Sequence, residues 1–143
     1  MVINFEIYGG LSFLPTQIKM IIPYQTIDWS NVKTSEHPGE SGVAYWRTLN
    51  YGGLRIRMVE YSADYKADHW CELGHIIFCI KGELQSELAD GSVHILKENM
   101  SYHVSDRMSK HRSISKDGVL LFIIDGDFLN LRHSRTTGIF GFQ

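Results

Sequence analysis

From Asp68 to Gly82 the chain reads Asp-His-Trp-Cys-Glu-Leu-Gly-His-Ile-Ile-Phe-Cys-Ile-Lys-Gly, and His69, Cys71 and His75 fall within seven residues. Imidazole and thiolate are the side chains that suit borderline and soft transition metals, so an H-x-C-x3-H spacing constrains the fold around it. On a strand, the period of two turns His69 and Cys71 to the same side of a sheet. A short turn opening on Gly74 then returns His75 toward them. The rest of the chain reads as the scaffold that closes this pocket.

That scaffold is a single domain. At 143 residues the chain is long enough to bury a core and too short to expect two. A formal net charge of −2 with mixed signs lacks the basic face that nucleic acid requires, so no nucleic-acid partner is expected. No apolar run approaches a membrane span, and the start, Met1 to Tyr8, has no basic segment and is interrupted by Glu6. The expectation is no membrane partner and a cytoplasmic location. Cys71 and Cys79 are the two cysteines, too few for a disulfide framework; one bridge would be feasible across a turn, but reduced thiols are the preferred reading.

Residues 1–21 read as an N-terminal extension. Ile3, Phe5 and Ile7 alternate with polar neighbours as in an added strand, a loosely held segment being the equal alternative, and Met20 offers a second translation start. Residues 26–42 read as polar loop, with one helical turn after Asp28 as N-cap and with Glu36 and His37 in a Pro-Gly turn. Short β segments follow: 43–49, 54–61, 76–80, 83–88, 92–96, 100–104, 111–114 and 119–124. Leu54, Ile56 and Met58 alternate with Arg55 and Arg57, Asp90-Gly91 marks a hairpin, and Lys116-Asp117-Gly118 reads as a turn. The fold class is therefore all-β, an antiparallel sandwich or barrel of jelly-roll type. Residues 126–143 form a C-terminal extension whose Ile139, Phe140 and Phe142 call for a packing partner.

Two stretches carry a resemblance to the cupin superfamily. In the pattern G-x5-H-x-H-x3,4-E-x6-G, His69 holds the first His, Cys71 the second, His75 the Glu and Gly82 the last Gly, with Ala63 for the opening Gly. In G-x5-P-x-G-x2-H-x3-N, Asn99, Ser105, Arg107 and Ser115 replace Gly, Pro, Gly and Asn, and His111 arrives one residue late. Asn99 can stand for glycine because Asn tolerates a left-handed turn. Asp68-His69-Trp70-Cys71 with Gly74-His75, Met100-Ser101-Tyr102 and His111-Arg112-Ser113 resembles the small single-domain cupins named for a DHCW motif. The resemblance covers residues 22–125 and implies a double-stranded β-helix with a metal at its mouth, and homodimers through terminal strands. Cupin activities range from dioxygenases to sugar sensing, so it does not select a reaction.

The ligand set that follows is His69, Cys71, His75 and His111. His103 is the rival of His111 but faces away from Tyr102 on a regular strand. Such a set favours a divalent transition metal, zinc first, then iron, nickel or copper, over magnesium or calcium. Four protein ligands would close the site as a structural one; an open position would permit catalysis. Asp68 and Glu72 are acceptors for an imidazole or, the preferred reading, solvent-facing. Trp46, Arg47, Arg57, Tyr102 and Arg112 are candidates to line a small-molecule site, an arginine there suiting carboxylate or phosphate. Glu60 and Glu72 are acid–base candidates without geometric support. Three functions compete: a metal-dependent enzyme on a small polar molecule, a non-catalytic metal or small-ligand binding or regulatory module, and, least favoured, a metal-free thiol sensor.

Overall fold

A computed structural model describes residues 21–130. Residues 1–20 of the expected N-terminal extension, with the second start at Met20, and residues 131–143 of the expected C-terminal extension lie outside the described residues. Among the described residues, eight strands account for the regular structure apart from two three-residue 3-10 turns: β1 (Thr34–Pro38), β2 (Val43–Tyr51), β3 (Leu54–Lys66), β4 (His75–Gly82), β5 (Leu84–Leu88), β6 (Val93–Leu96), β7 (Ser101–Val104) and β8 (His111–Gly126). All pairings are antiparallel. No helix among the described residues is long and apolar enough to cross a membrane.

The strand β8 organises the barrel. Residues 111–114 pair with β5, residues 119–124 with β4, and β3 follows β8 from Ile114 to Gly126. One sheet runs β1-β2-β3-β8-β4-β7, while β5 and β6 extend the other half from the start of β8. The expected turn at 116–118 is a kink within this single strand. Gly118 supplies it at φ +94°, a left-handed conformation that glycine adopts without steric cost. Its flanking pairs, Ala63 with Asp117 and Tyr61 with Val119, keep β3 in register across the bend.

Register also decides what faces inward. Arg57, Val59 and Tyr61 lie opposite Ile123, Leu121 and Val119, and Ile77 and Cys79 lie opposite Ile123 and Leu121. Val59, Cys79 and Leu121 are completely buried. Arg57 therefore belongs to the interior face, 4% exposed, while Ile56 and Met58 turn outward beside Ile124 and Phe122. Leu54 is buried, Ile56 and Met58 are half-buried on the outer face, and the interior Arg57 is received by a buried carboxylate, Asp125.

Other local signals agree with the sequence. Asp28 caps the turn Trp29–Asn31 by accepting from the Ser30 N–H, Asn99 is left-handed at φ 66°, and Gly91 turns the β5–β6 hairpin at φ 88°. One segment does not. Residues 34–38 form β1, paired with Val43 to Arg47, where the polar composition had indicated loop. The His37 ring stacks on Trp46 at 3.8 Å, an apolar contact that compensates an otherwise exposed strand.

Candidate metal centre

Three of the four expected ligands converge. Cys71 and His111 exchange backbone hydrogen bonds, Cys71 N–H to His111 O at 2.7 Å and His111 N–H to Cys71 O at 3.0 Å. Directly opposite residues place their side chains together on one side of the ladder. His75 opens β4, and the preceding loop is stitched down where the Gly74 N–H donates to Asp106 and the Arg107 N–H donates to Glu72 O. A Cβ at Gly74 would lie 2.6 Å from Val104 O, so this close approach requires glycine. The result is one ligand atom each from Cys71, His75 and His111 within 4.8 Å of one another.

Hydrogen bonds fix how each ring points. His75 Nδ1 lies 3.2 Å from Asp125 Oδ2, and a carboxylate there holds the proton on Nδ1. Its Nε2 faces Cys71 Sγ at 3.4 Å. His111 Nδ1 lies 3.2 Å from the Ser109 carbonyl, which can only accept, so Nδ1 carries the hydrogen. His111 Nε2 is then a buried lone pair, and it has no hydrogen-bond partner. A buried unpaired acceptor is costly, and a cation between the two rings and the thiolate would satisfy it. The donor set fits a borderline divalent metal.

Electrostatics favour the ligating form of Cys71 and the protonated form of His75, so metal binding would release a proton from His75. Burial alone would push the Cys71 thiol up; ring hydrogens on the His111 and His75 Nε2 atoms, the tautomers alternative to the ligating ones, bring it down to about 5. Burial works against a charged His75, yet its bonds to Asp125 and Cys71 outweigh this and raise its pKa. Asp125 is held well below the usual carboxylate range: burial opposes ionisation, but His75, Arg55 and Arg57 overcome it. Arg55 donates to it from Nε at 2.7 Å and Nη2 at 3.1 Å, and Arg57 donates from Nη2.

The fourth expected ligand is elsewhere. His69 is 74% exposed at its side chain and bonds Asp68 at 2.6 Å. The strand periodicity that would have aligned it with Cys71 does not apply, because residues 67–74 are loop whose one β-bridge is at Cys71. Of the lining candidates, Tyr102 faces inward, with a buried hydroxyl that has no hydrogen-bond partner. Trp46 packs against the core and lies 4.4 Å beneath the Arg57 guanidinium, itself committed to Asp125. Arg47 and Arg112 point the other way: Arg47 pairs in register with outward Met58, and Arg112 bonds Glu87 at 2.8 Å and covers Trp70. Glu60 and Glu72 are exposed. Asp125 was missed, although the alternation Val119, Leu121, Ile123 runs straight on to it.

Fold and site define a single-domain cupin-type barrel with a His/Cys/His cluster. Solved structures place it more particularly. The polyketide cyclase RemF from Streptomyces resistomycificus superposes with a TM-score of 0.60 at 13% identity, over 73% of this chain and 80% of that one. Ectoine synthase from P. lautus gives 0.59 at 14%, over 72% and 78%. An RmlC-like cupin from Shewanella frigidimarina gives 0.57 at 14%, over 73% and 91%. The chain thus has the cupin fold. No protein-family model and no curated protein matches the sequence.

Proposed function

We propose that the barrel binds a divalent transition metal through Cys71, His75 and His111, and that a small polar molecule reacts at it. The observation that carries this reading is the convergence of three ligand atoms, one of them the unpaired lone pair of a buried imidazole. Zinc is preferred, with iron, nickel or copper as alternatives, because the set is two imidazoles and one thiolate. When bound, such a metal supplies Lewis acidity at whatever coordination position the protein leaves open. The chain's own residues do the rest. Asp125 and the Ser109 carbonyl orient the two rings, and the apolar core beneath excludes water.

Elemental analysis of protein purified without added metal tests the reading, with stoichiometric metal expected and its loss in Cys71→Ser. Cobalt substitution adds a thiolate-to-metal absorption band. Metal-free native protein would overturn the proposal, whereas stoichiometric metal would remove the metal-free thiol sensor. If metal and ligand bind but no substrate panel turns over, the non-catalytic binding module takes the enzyme's place. The exposed Phe78 and Ile80 support a homodimer. Solution mass of the full chain, and of a chain lacking residues 1–19, tests the dimer and its expected terminal contact.

A further inference from the structure

Among the described residues β6 pairs only with β5 and β7 only with β4, so the two sheets leave a seam between these edge strands. A cavity of about 380 Å³ occupies it. Register gives its walls. Ser86 lies opposite His94 and Leu84 opposite Leu96, so these residues share the inward face; Leu88 lies opposite His111, and Tyr102 opposite inward Ile77. The floor of the cavity is His111, the residue proposed above as a metal ligand.

We infer that this seam is a binding site for a small carboxylic acid with a compact apolar body, its carboxylate directed to Tyr102 and the metal side of His111. Four observations converge. Leu88, Leu96 and Val104 line the walls, and Met100 is 45% exposed at the rim, so an apolar body would be sheltered there. The Tyr102 hydroxyl is buried without a partner and can donate to an acceptor. No acidic side chain lines the cavity, while His94 and His103 border it. Behind His75 the buried Arg57 is balanced by Asp125, so a bound dication leaves the cluster positive even with Cys71 as thiolate. A carboxylate answers both the charge and the unpaired donor. The volume admits a molecule the size of benzoate.

This inference rests on the metal reading for the charge beneath the cavity, and its test separates the two. Benzoate and butanoate, with benzamide and butanamide as neutral isosteres, would be titrated into the full chain, metal-loaded and stripped, and followed by methyl NMR and by the cobalt–thiolate band. The acids are expected to bind at least about tenfold tighter than the amides. Tyr102→Phe should weaken the acids about tenfold and the amides, whose carbonyl accepts the same bond without a charge, by clearly less. His94→Trp, at the exposed rim, should abolish both. Benzoate should also shift the cobalt band. A band that forms but ignores benzoate, with no methyl shifts, overturns the inference and leaves the metal reading standing. Absence of any band overturns the metal reading, and the methyl titration then judges the cavity alone. Equal affinity for acid and amide would overturn it, as would acid binding that appears only after residues 1–20 or 131–143 are removed, which would make the chain's own ends the occupants.

Discussion

At the scale of single residues, Asp125 decides most. It is 4% exposed and receives Arg55, Arg57 and His75 together, so replacing it leaves a buried guanidinium without its carboxylate. Asp125→Asn should cost about 3–5 kcal/mol of stability, the usual result of breaking a buried pair from one side. Because the folded-state pKa is depressed, its contribution is present above the unfolded value of about 4 and is lost as pH falls below it toward the lower folded value. Urea unfolding from pH 6 to 2.5 should therefore show a steeper acid decline in the wild type than in Asp125→Asn. Cys71 gives a second prediction. In metal-stripped protein its alkylation by iodoacetamide should reach half its limiting rate near pH 5, where the thiolate forms, and bound metal should suppress it. A half-point near 8 or 9 would mean that the two imidazoles do not stabilise the thiolate in solution. These residues were unequally legible. Cys71, His75 and His111 announce themselves by ligand type, whereas Asp125 ends an apolar strand and shows its role only when the alternation is counted through to it.

At the scale of elements, the kink in β8 carries the site. The first half of the strand brings His111 to Cys71, and the second half brings Asp125 to His75. Gly118 joins them at φ +94°, and a Cβ there would stand 3.1 Å from Tyr61 O. Gly118→Ala should destabilise by about 1–2 kcal/mol from the left-handed backbone alone. It should also lower metal affinity, because straightening the strand moves His111 relative to Asp125; isothermal titration with zinc would measure this, and unchanged affinity would mean the two halves are positioned independently. Lys116-Asp117-Gly118 looks like a turn because glycine after polar residues usually is one. The distinction between a turn and a bend within a strand depends on whether a third strand spans it. Here β3 does, pairing on both sides of Gly118. The same dependence on tertiary partners explains β1, which has polar sequence and becomes a strand because β2 offers its edge and Trp46 offers its ring.

At the scale of the whole molecule, site and fold are one cooperative object. The ligands come from a loop, the start of β4 and the start of β8, and β8 in turn touches β3, β4 and β5. Neither half of the barrel keeps its central strand if the other opens, so the described residues should unfold together. A metal that binds only when Cys71, His75 and His111 are assembled must then stabilise the entire barrel. Ligand linkage sets the size: about 2.7 kcal/mol at a free metal concentration one hundred times Kd, and about 4 kcal/mol at one thousand times. Urea unfolding of loaded and chelator-stripped protein, followed by far-UV circular dichroism and by tryptophan fluorescence, should give coincident single transitions in each state, displaced by that amount. Cys71→Ser should abolish the displacement and also lower the stripped transition at neutral pH, since a thiolate whose folded-state pKa is depressed stabilises the folded chain there. Non-coincident probes would show that the halves separate, with β8 failing to couple them. Coincident transitions displaced equally in Cys71→Ser would place the stabilising metal away from this cluster.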